Sequence, residues 1–345
     1  MLHVRIQTEF LTRIMSSSDV VARILAGRER VVRGQKVPLR TQLLLRTIGL
    51  DPRPRYKHSV ARQRADFGAL TAAGAGRLRE VEVADHQGPH GVCIRVYRPR
   101  GTRDEVLPAL LYLHGGGFVI GSVDSHDALT RRLAEDAHCV VASVDYRLAP
   151  EHPFPTAVDD AHDALRWLCA HAQELGVDAW RIAVGGDSAG GNLAAVVSQL
   201  ALAEGGPAPR LQFLIYPSVT SRGEHPSRAE LSDGFLLSTP HVDWYLSTYT
   251  GGAPLHDDIR LSPLRAERLD GLPQALVVVA GLDPLHDEGI EYAERLRAAG
   301  VAVELIDLPG MIHGFVNLDG FLPEADAALT TMTDALKRTL HVSAA

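Results

Sequence analysis

Short apolar runs alternate with longer stretches of helical period along most of this chain. From residue 78 onward the runs are LREVEV (78–83), VCIRVYRP (92–99), PALLYLH (108–114), CVVASVDY (139–146), WRIAVGGD (180–187), RLQFLIYP (210–217), QALVVVAG (274–281) and VAVELIDL (301–308). Most are apolar throughout, the mark of strands buried on both faces. Between them, residues 126–137, 156–174, 189–203, 287–299 and 324–340 place apolar side chains at helical spacing, as Val158, Ala161, Leu165 and Leu168 illustrate. This rhythm predicts an α/β fold, a mostly parallel eight-stranded sheet with helices on both faces joined by right-handed crossovers. Only eight residues, including Gly88, Pro89 and Gly91, separate the first two runs. That is too few for a crossover, so this pair is expected as an antiparallel hairpin.

Two stretches stand outside the rhythm. Residues 218–273 are longer than a crossover needs and carry Trp244, Tyr245 and Tyr249 on a helical stretch near 240–250, which predicts an insertion over the C-terminal edge of the sheet. Residues 1–77 precede the sheet, cut into short helices by Pro38, Pro52 and Pro54. No internal repeat or low-complexity tract is visible.

Composition narrows the class. Of 345 residues, 46% are apolar and 22% charged, enough for a sizeable core and unlike a disordered chain. No window reaches 18 consecutive apolar residues, and charges interrupt the first 15 residues before a signal-peptide core forms. Cys93, Cys139 and Cys169 lie far apart in apolar surroundings, without metal-ligand or disulfide-framework spacing. A cytoplasmic protein with reduced core cysteines, no stable membrane insertion and no bound metal is expected. The net charge of −7 is unevenly spread: residues 1–64 hold 14 Lys/Arg against 4 Asp/Glu, leaving 21 against 38 for the rest. Arginines there are interleaved with Val20, Val21, Ile24 and Leu25 at helical spacing, so the segment reads as solvated helices docked on an acidic body. A nucleic-acid arm is not expected.

Candidate chemistry begins at Gly186-Asp187-Ser188-Ala189-Gly190, a G-x-S-x-G where an apolar strand meets an alanine-rich helix. A nucleophile elbow needs that context: glycines on either side allow close backbone approach and leave the Ser188 hydroxyl exposed. Random order would give the bare pattern roughly one time in seven, so context carries the assignment. His114-Gly115-Gly116-Gly117-Phe118 is sharper, arising by chance roughly once in a hundred such chains. Three glycines let consecutive N–H groups converge on one oxygen, so Gly116 and Gly117, with the N–H of Ala189, are candidate donors to an oxyanion. His114 reads as an orienting or structural residue.

Serine needs a base, and the base a carboxylate to orient it. Of the 16 histidines, His313 follows the last strand run, at the same sheet edge as Ser188, where ligands of open α/β sheets bind. Asp283 stands two residues beyond QALVVVAG; its rivals Asp287 and Glu288 fall on the next helix, where capping suits them better. Phe118, Trp244, Leu285 and Phe315 are candidate pocket-lining residues. The order Ser188, Asp283, His313 belongs to α/β-hydrolases.

With these residues in place, the chain resembles the bacterial hormone-sensitive lipase-like carboxylesterases within the α/β-hydrolases. The likeness runs from about residue 78 to 340 through HGGGFVIGS (114–122), DYRLAPEHPFPTAVDDAHDALRWL (145–168), GDSAGGNLA (186–194), YP (216–217), SPL (262–264), GLDPLHDEG (281–289) and HGF (313–315). It implies a serine carboxylesterase acting on a small-molecule ester through Ser188, Asp283 and His313, without cofactor. It further implies a cap formed by a helical segment, residues 1–77, with the insertion at 218–273, on a catalytic domain spanning 78–345. It also allows a homodimer. In the block 145–168, Arg147, Glu151 and Pro150, Pro153 and Pro155 are expected to fix the loop beside the site. Acyl transfer or amide hydrolysis by the same triad stays open. So does a ligand-binding protein without catalysis, against which the presence of all three triad residues weighs.

Overall fold

A computed structural model describes residues 2–342 apart from Pro52, Leu255 and His256. Pro52, one of the three breaks read from the sequence, therefore lies outside the described residues. The sheet has eight strands: β1 (Val81–Gln87), β2 (Cys93–Pro99), β3 (Leu107–Leu113), β4 (Val140–Val144), β5 (Val177–Asp187), β6 (Leu211–Ile215), β7 (Gln274–Leu282) and β8 (Val303–Ile312). Their order across the sheet is β8-β7-β6-β5-β3-β4-β2-β1. The expected hairpin is present, with Val81 opposite Pro99 and Gln87 opposite Cys93, and β2 also runs antiparallel to β4. The other pairs are parallel.

Alternation along these strands divides the core in two. Ala109, Leu111 and Leu113 face a layer formed by the helices Thr156–Ala170, Ala189–Ala203 and His286–Ala298. Leu110 and Tyr112 face the opposite layer, built on Asp127–Ala137 and Pro323–His341. Such two-sided burial is why the strand runs carry few polar residues. Several boundaries moved, the first strand from 78–83 to Val81–Gln87 among them, and two of the shifts fall on strands that carry the site. The last strand continues through Pro309 and Gly310 to Ile312, with an irregular register after Leu308, so His313 is the first residue past it. Strand β5 starts earlier than the apolar run, at Val177, where its pairing with β3 shifts register.

The N-terminal segment forms helices α1 (Leu2–Met15), α2 (Asp19–Ala26), α3 (Leu39–Ile48) and α4 (Val60–Gly74). Pro38 sits at the N-terminus of α3, and Pro54 leads into a 3₁₀ turn, Arg55–Lys57. Leu11, Met15, Leu43, Leu44 and Leu70 join the second core layer. Helix α2 is packed inside out relative to its size pattern: Ala22 and Ala26 are buried, while Val20 and Ile24 are 70% and 74% exposed. Among the described residues, two α-helices lie between β6 and β7, α5 (Pro226–Glu230) and α6 (Thr239–Thr250), followed by a 3₁₀ turn at Pro263–Arg265.

Candidate active site

Strand β5 ends at Asp187 and a helix starts at Ala189, so Ser188 occupies the whole turn, at φ 56° and ψ −116°. A non-glycine residue adopts that backbone only where its surroundings hold it. Here they do. A Cβ on Gly186 or on Gly190 would run into the carbonyl oxygen of Leu113 on β3, so both glycines are required by close backbone approach. The Ser188 N–H donates to Ile215 O at 2.9 Å, tying the turn to β6.

The structure brings the three predicted residues together from three separate strand ends. His313 Nδ1 lies 2.6 Å from Asp283 Oδ2, and His313 Nε2 lies 2.8 Å from Ser188 Oγ. An ionised carboxylate only accepts, so Nδ1 carries the proton and Nε2 is left to accept from the Ser188 hydroxyl. Asp283 is fully buried, and its second oxygen accepts the Leu285 N–H at 2.9 Å. The rival acids are engaged elsewhere and do not cap their helix as expected. Asp287 accepts the Ser227 N–H at 2.8 Å, and Glu288 holds the Val219 N–H and the buried Arg228 guanidinium, at 3.0 and 2.6 Å. Both thus fasten the 218–230 segment.

Gly115, Gly116 and Gly117 form the loop after β3. The Gly115 N–H donates to Asp187 Oδ1 at 2.8 Å, which fixes the loop to the Ser188 turn. Among the described residues, the N–H groups of Gly116 and Gly117 donate to no protein acceptor. Ala189 supplies one of the N–H groups that a helix start leaves unpaired. His114 is buried and stacked on Tyr146, with ring centroids 4.3 Å apart, and its Nδ1–H donates to Gly115 O. Burial is the main cause that pushes its pKa down to about 3, so it stays neutral. From the 145–168 block, Arg147 forks onto Asp160, and Glu151 receives Arg64 of α4, which also donates to Val119 O at 2.9 Å.

Ser188, His313, Gly116, Gly117 and Ala189 line one cavity of about 120 Å³. Of the four predicted pocket residues, Phe118 and Leu285 line it and two do not. Phe315 is fully buried in the second core layer, edge-on to Tyr216. Trp244 is turned about 60° or more around α6 from His241, Val242, Tyr245 and Leu246, which line the cavity in its place. Arg55, His58, Asp66 and Leu70 from the N-terminal segment also line it, and nothing in their local sequence marks them. Among the described residues, no group of three or more His, Cys, Asp or Glu is placed to hold a metal ion. No described helix is long and apolar enough to cross a membrane.

An eight-stranded sheet of this order with a serine at the β5 turn defines an α/β-hydrolase. Residues 110–317 match a family model described as alpha/beta hydrolase fold, and the chain belongs to the hormone-sensitive lipase-like family of these enzymes. Carboxylic ester hydrolase LipN of Mycobacterium tuberculosis is 45% identical over 305 residues, 85% of this chain and 80% of that protein. Ethyl acetate hydrolase of Pseudomonas putida is 42% identical over 285 residues, 81% of this chain and 89% of that one. Among solved structures, a thermostable esterase from Pseudomonas putida ECU1011 aligns with a TM-score of 0.85 at 36% identity, covering 89% of this chain and 98% of that one.

Proposed function

We propose that this chain, a carboxylic ester hydrolase, cleaves esters of short-to-medium acyl chains through an acyl-enzyme on Ser188. One observation carries the reading: the unbroken relay from Ser188 Oγ through His313 to Asp283, at 2.8 and 2.6 Å. Ser188 Oγ attacks the acyl carbonyl as His313 Nε2 takes its proton, and Asp283 stabilises the imidazolium. The carbonyl oxygen becomes anionic and receives the N–H groups of Gly116, Gly117 and Ala189, each worth about 3 kcal/mol in the transition state. His313 passes the proton to the departing alkoxide. Water then repeats the attack on the acyl-enzyme and restores Ser188.

Residues 1–77 and 218–273 act together as the cap. Support comes from the cavity itself, which draws Arg55 and Leu70 from the first segment and Leu237, Val242 and Tyr245 from the second. The inner cavity at Ser188 holds about 120 Å³, less than the roughly 150 Å³ that takes up one benzene molecule. That favours acyl chains of about four to six carbons seated there, short of an outer cleft. The three unpaired cysteines favour a reducing compartment, the cytoplasm.

The test is Ser188→Ala with a series of p-nitrophenyl esters. The variant should fold and lose about 10⁴-fold or more in kcat; undiminished turnover overturns the assignment. In the wild type, kcat/KM should peak at about four to six carbons, and a preference beyond about twelve would contradict the cavity argument.

A further inference from the structure

The cavity lining is of two kinds. Phe118, Val242, Leu246 and Leu285 are apolar, and Arg55, His58 and Asp66 of the N-terminal segment add charged and polar atoms. Arg55 opens the 3₁₀ turn behind Pro54 and borders both this cavity and a larger outer cleft that reaches Phe10 and Leu50. It is therefore placed where a bound ester passes from the cleft toward Ser188.

Its guanidinium is half-buried, yet it makes no hydrogen bond and no ion pair among the described residues. Of the acids nearby, Asp66 keeps one buried oxygen, Oδ1, without a hydrogen-bond partner among the described residues. Asp51 and Asp66 are bridged by Arg62 at 3.4 and 3.2 Å and flank His58 at 3.9 and 3.7 Å. Burial holds Arg55 below the usual guanidinium range, while Tyr245, Asp66 and Asp51 act on it through space in the other direction. Neither carboxylate occupies the five N–H donors of Arg55, and a guanidinium keeps its charge in any case. Its nitrogens keep some contact with solvent and have no protein partner among the described residues, so they are available to a ligand in the cavity.

We propose that Arg55 recognises a carboxylate on the substrate, so that the preferred esters are half-esters, with an acyl or alcohol portion that ends in a free carboxylate. A planar carboxylate accepts two parallel N–H groups of a guanidinium and cancels its charge, whereas a hydroxyl or amide oxygen satisfies fewer donors and leaves the charge. The hydrolysis itself is unchanged: the ester C–O bond breaks at Ser188, and the carboxylate only anchors the substrate. This proposal rests on the ester-hydrolase reading of Ser188.

The experiment compares wild type, Arg55→Gln and Arg55→Lys on two matched pairs. One pair is monoethyl adipate and its terminal amide, which places the charge on the acyl side. The other is the butanoate ester of 4-hydroxybutanoate and its terminal amide, which places it on the alcohol side. Ethyl butanoate serves as the uncharged control. Wild type should favour carboxylate over amide by about tenfold or more in kcat/KM for one pair, and that pair identifies the side. Arg55→Gln should bring the ratio close to one, and Arg55→Lys should retain part of it. Each ratio is taken within one protein, so a loss of folded enzyme cancels. Ratios near one for both pairs in the wild type, or an unchanged preference in Arg55→Gln, overturn the proposal. Failure of the wild type on ethyl butanoate and on all four test esters overturns the parent reading, and this one with it.

Discussion

Replacing Asp187 by Asn asks whether a buried carboxylate fastens the glycine loop to the serine turn. Oδ1 of Asp187 accepts the Tyr112 hydroxyl at 2.7 Å and the Gly115 N–H at 2.8 Å, and His126 Nε2 lies 3.3 Å away. Burial alone would raise its pKa, but His126, Tyr112 and Gly115 outweigh burial and hold the carboxyl at about 2. A folded pKa below the ordinary 3.8 means that the stabilisation is complete above pH 3.8 and is lost as pH falls through about 2. At about 1.36 kcal/mol per pH interval, that gap is worth about 2 kcal/mol. Counting contacts gives the same size: two charge-assisted hydrogen bonds become neutral ones, each weaker by about 1 kcal/mol. For a chain of this length, 2 kcal/mol corresponds to about 3 °C in Tm. Urea unfolding of both proteins at pH 7 and pH 3 checks the claim, with kcat on a p-nitrophenyl ester as the functional readout. The variant should be less stable by about 2 kcal/mol at pH 7, with the difference roughly halved at pH 3. Its kcat should fall by about tenfold or more, because Gly116 and Gly117 follow directly on Gly115. Equal stability at pH 7, or a difference that persists undiminished at pH 3, would refute the reasoning.

Two further predictions concern buried groups. Arg228→Met should cost about 3–5 kcal/mol, because it strands the fully buried Glu288 without a counter-charge. The double variant with Glu288→Leu should recover much of that loss in the same denaturation assay, and a purely additive double variant would contradict this account. His241, pushed down to about 3 chiefly by burial with Arg55 and His313 adding to it, is neutral when folded and titrates normally when unfolded. Its contribution is therefore full above pH 6.5 and shrinks as pH falls toward 3. His241→Phe, which keeps a ring against Tyr245, should flatten the fall in stability between pH 6.5 and 4.5. An unchanged slope in urea midpoints speaks against it.

What the sequence made legible is what the backbone demands locally. Gly186 and Gly190 are required by the approach of Leu113 O, and that requirement is visible as a pattern around Ser188. Asp283 and His313 could be chosen because each follows an apolar strand run and all strand ends of one polarity share an edge. Trp244 shows the limit. A helix near 240–250 was readable, but which side of it faces the cavity depends on how α6 packs, so Tyr245 took the place assigned to Trp244. Phe315 failed for the same reason: two residues past His313, it turns into the opposite layer against Tyr216. Arg55, His58 and Asp66 had no local signature, since only the folding back of the N-terminal segment brings them to Ser188.

Charge asymmetry between residues 1–64 and the rest suggested docking by opposite charge, yet the contacts argue for a different force. Within that segment Arg33 and Arg64 pair with acids of the body, Asp287, Glu230 and Glu151, all at partly exposed positions. Such pairs are worth about 0–1 kcal/mol each. Other pairs stay inside the N-terminal segment: Arg40 with Asp19, Lys36 with Glu29, and Arg62 with Asp51 and Asp66. Meanwhile Leu11, Met15, Leu43 and Leu44 are buried in the second core layer, at about 1.5–3 kcal/mol apiece. Apolar burial therefore outweighs the ion pairs in seating the segment. Many of its arginines are tied by hydrogen bonds or ion pairs, as Arg40, Arg46, Arg53, Arg62 and Arg64 are, and Arg55 is the one that the fold carries into the cavity.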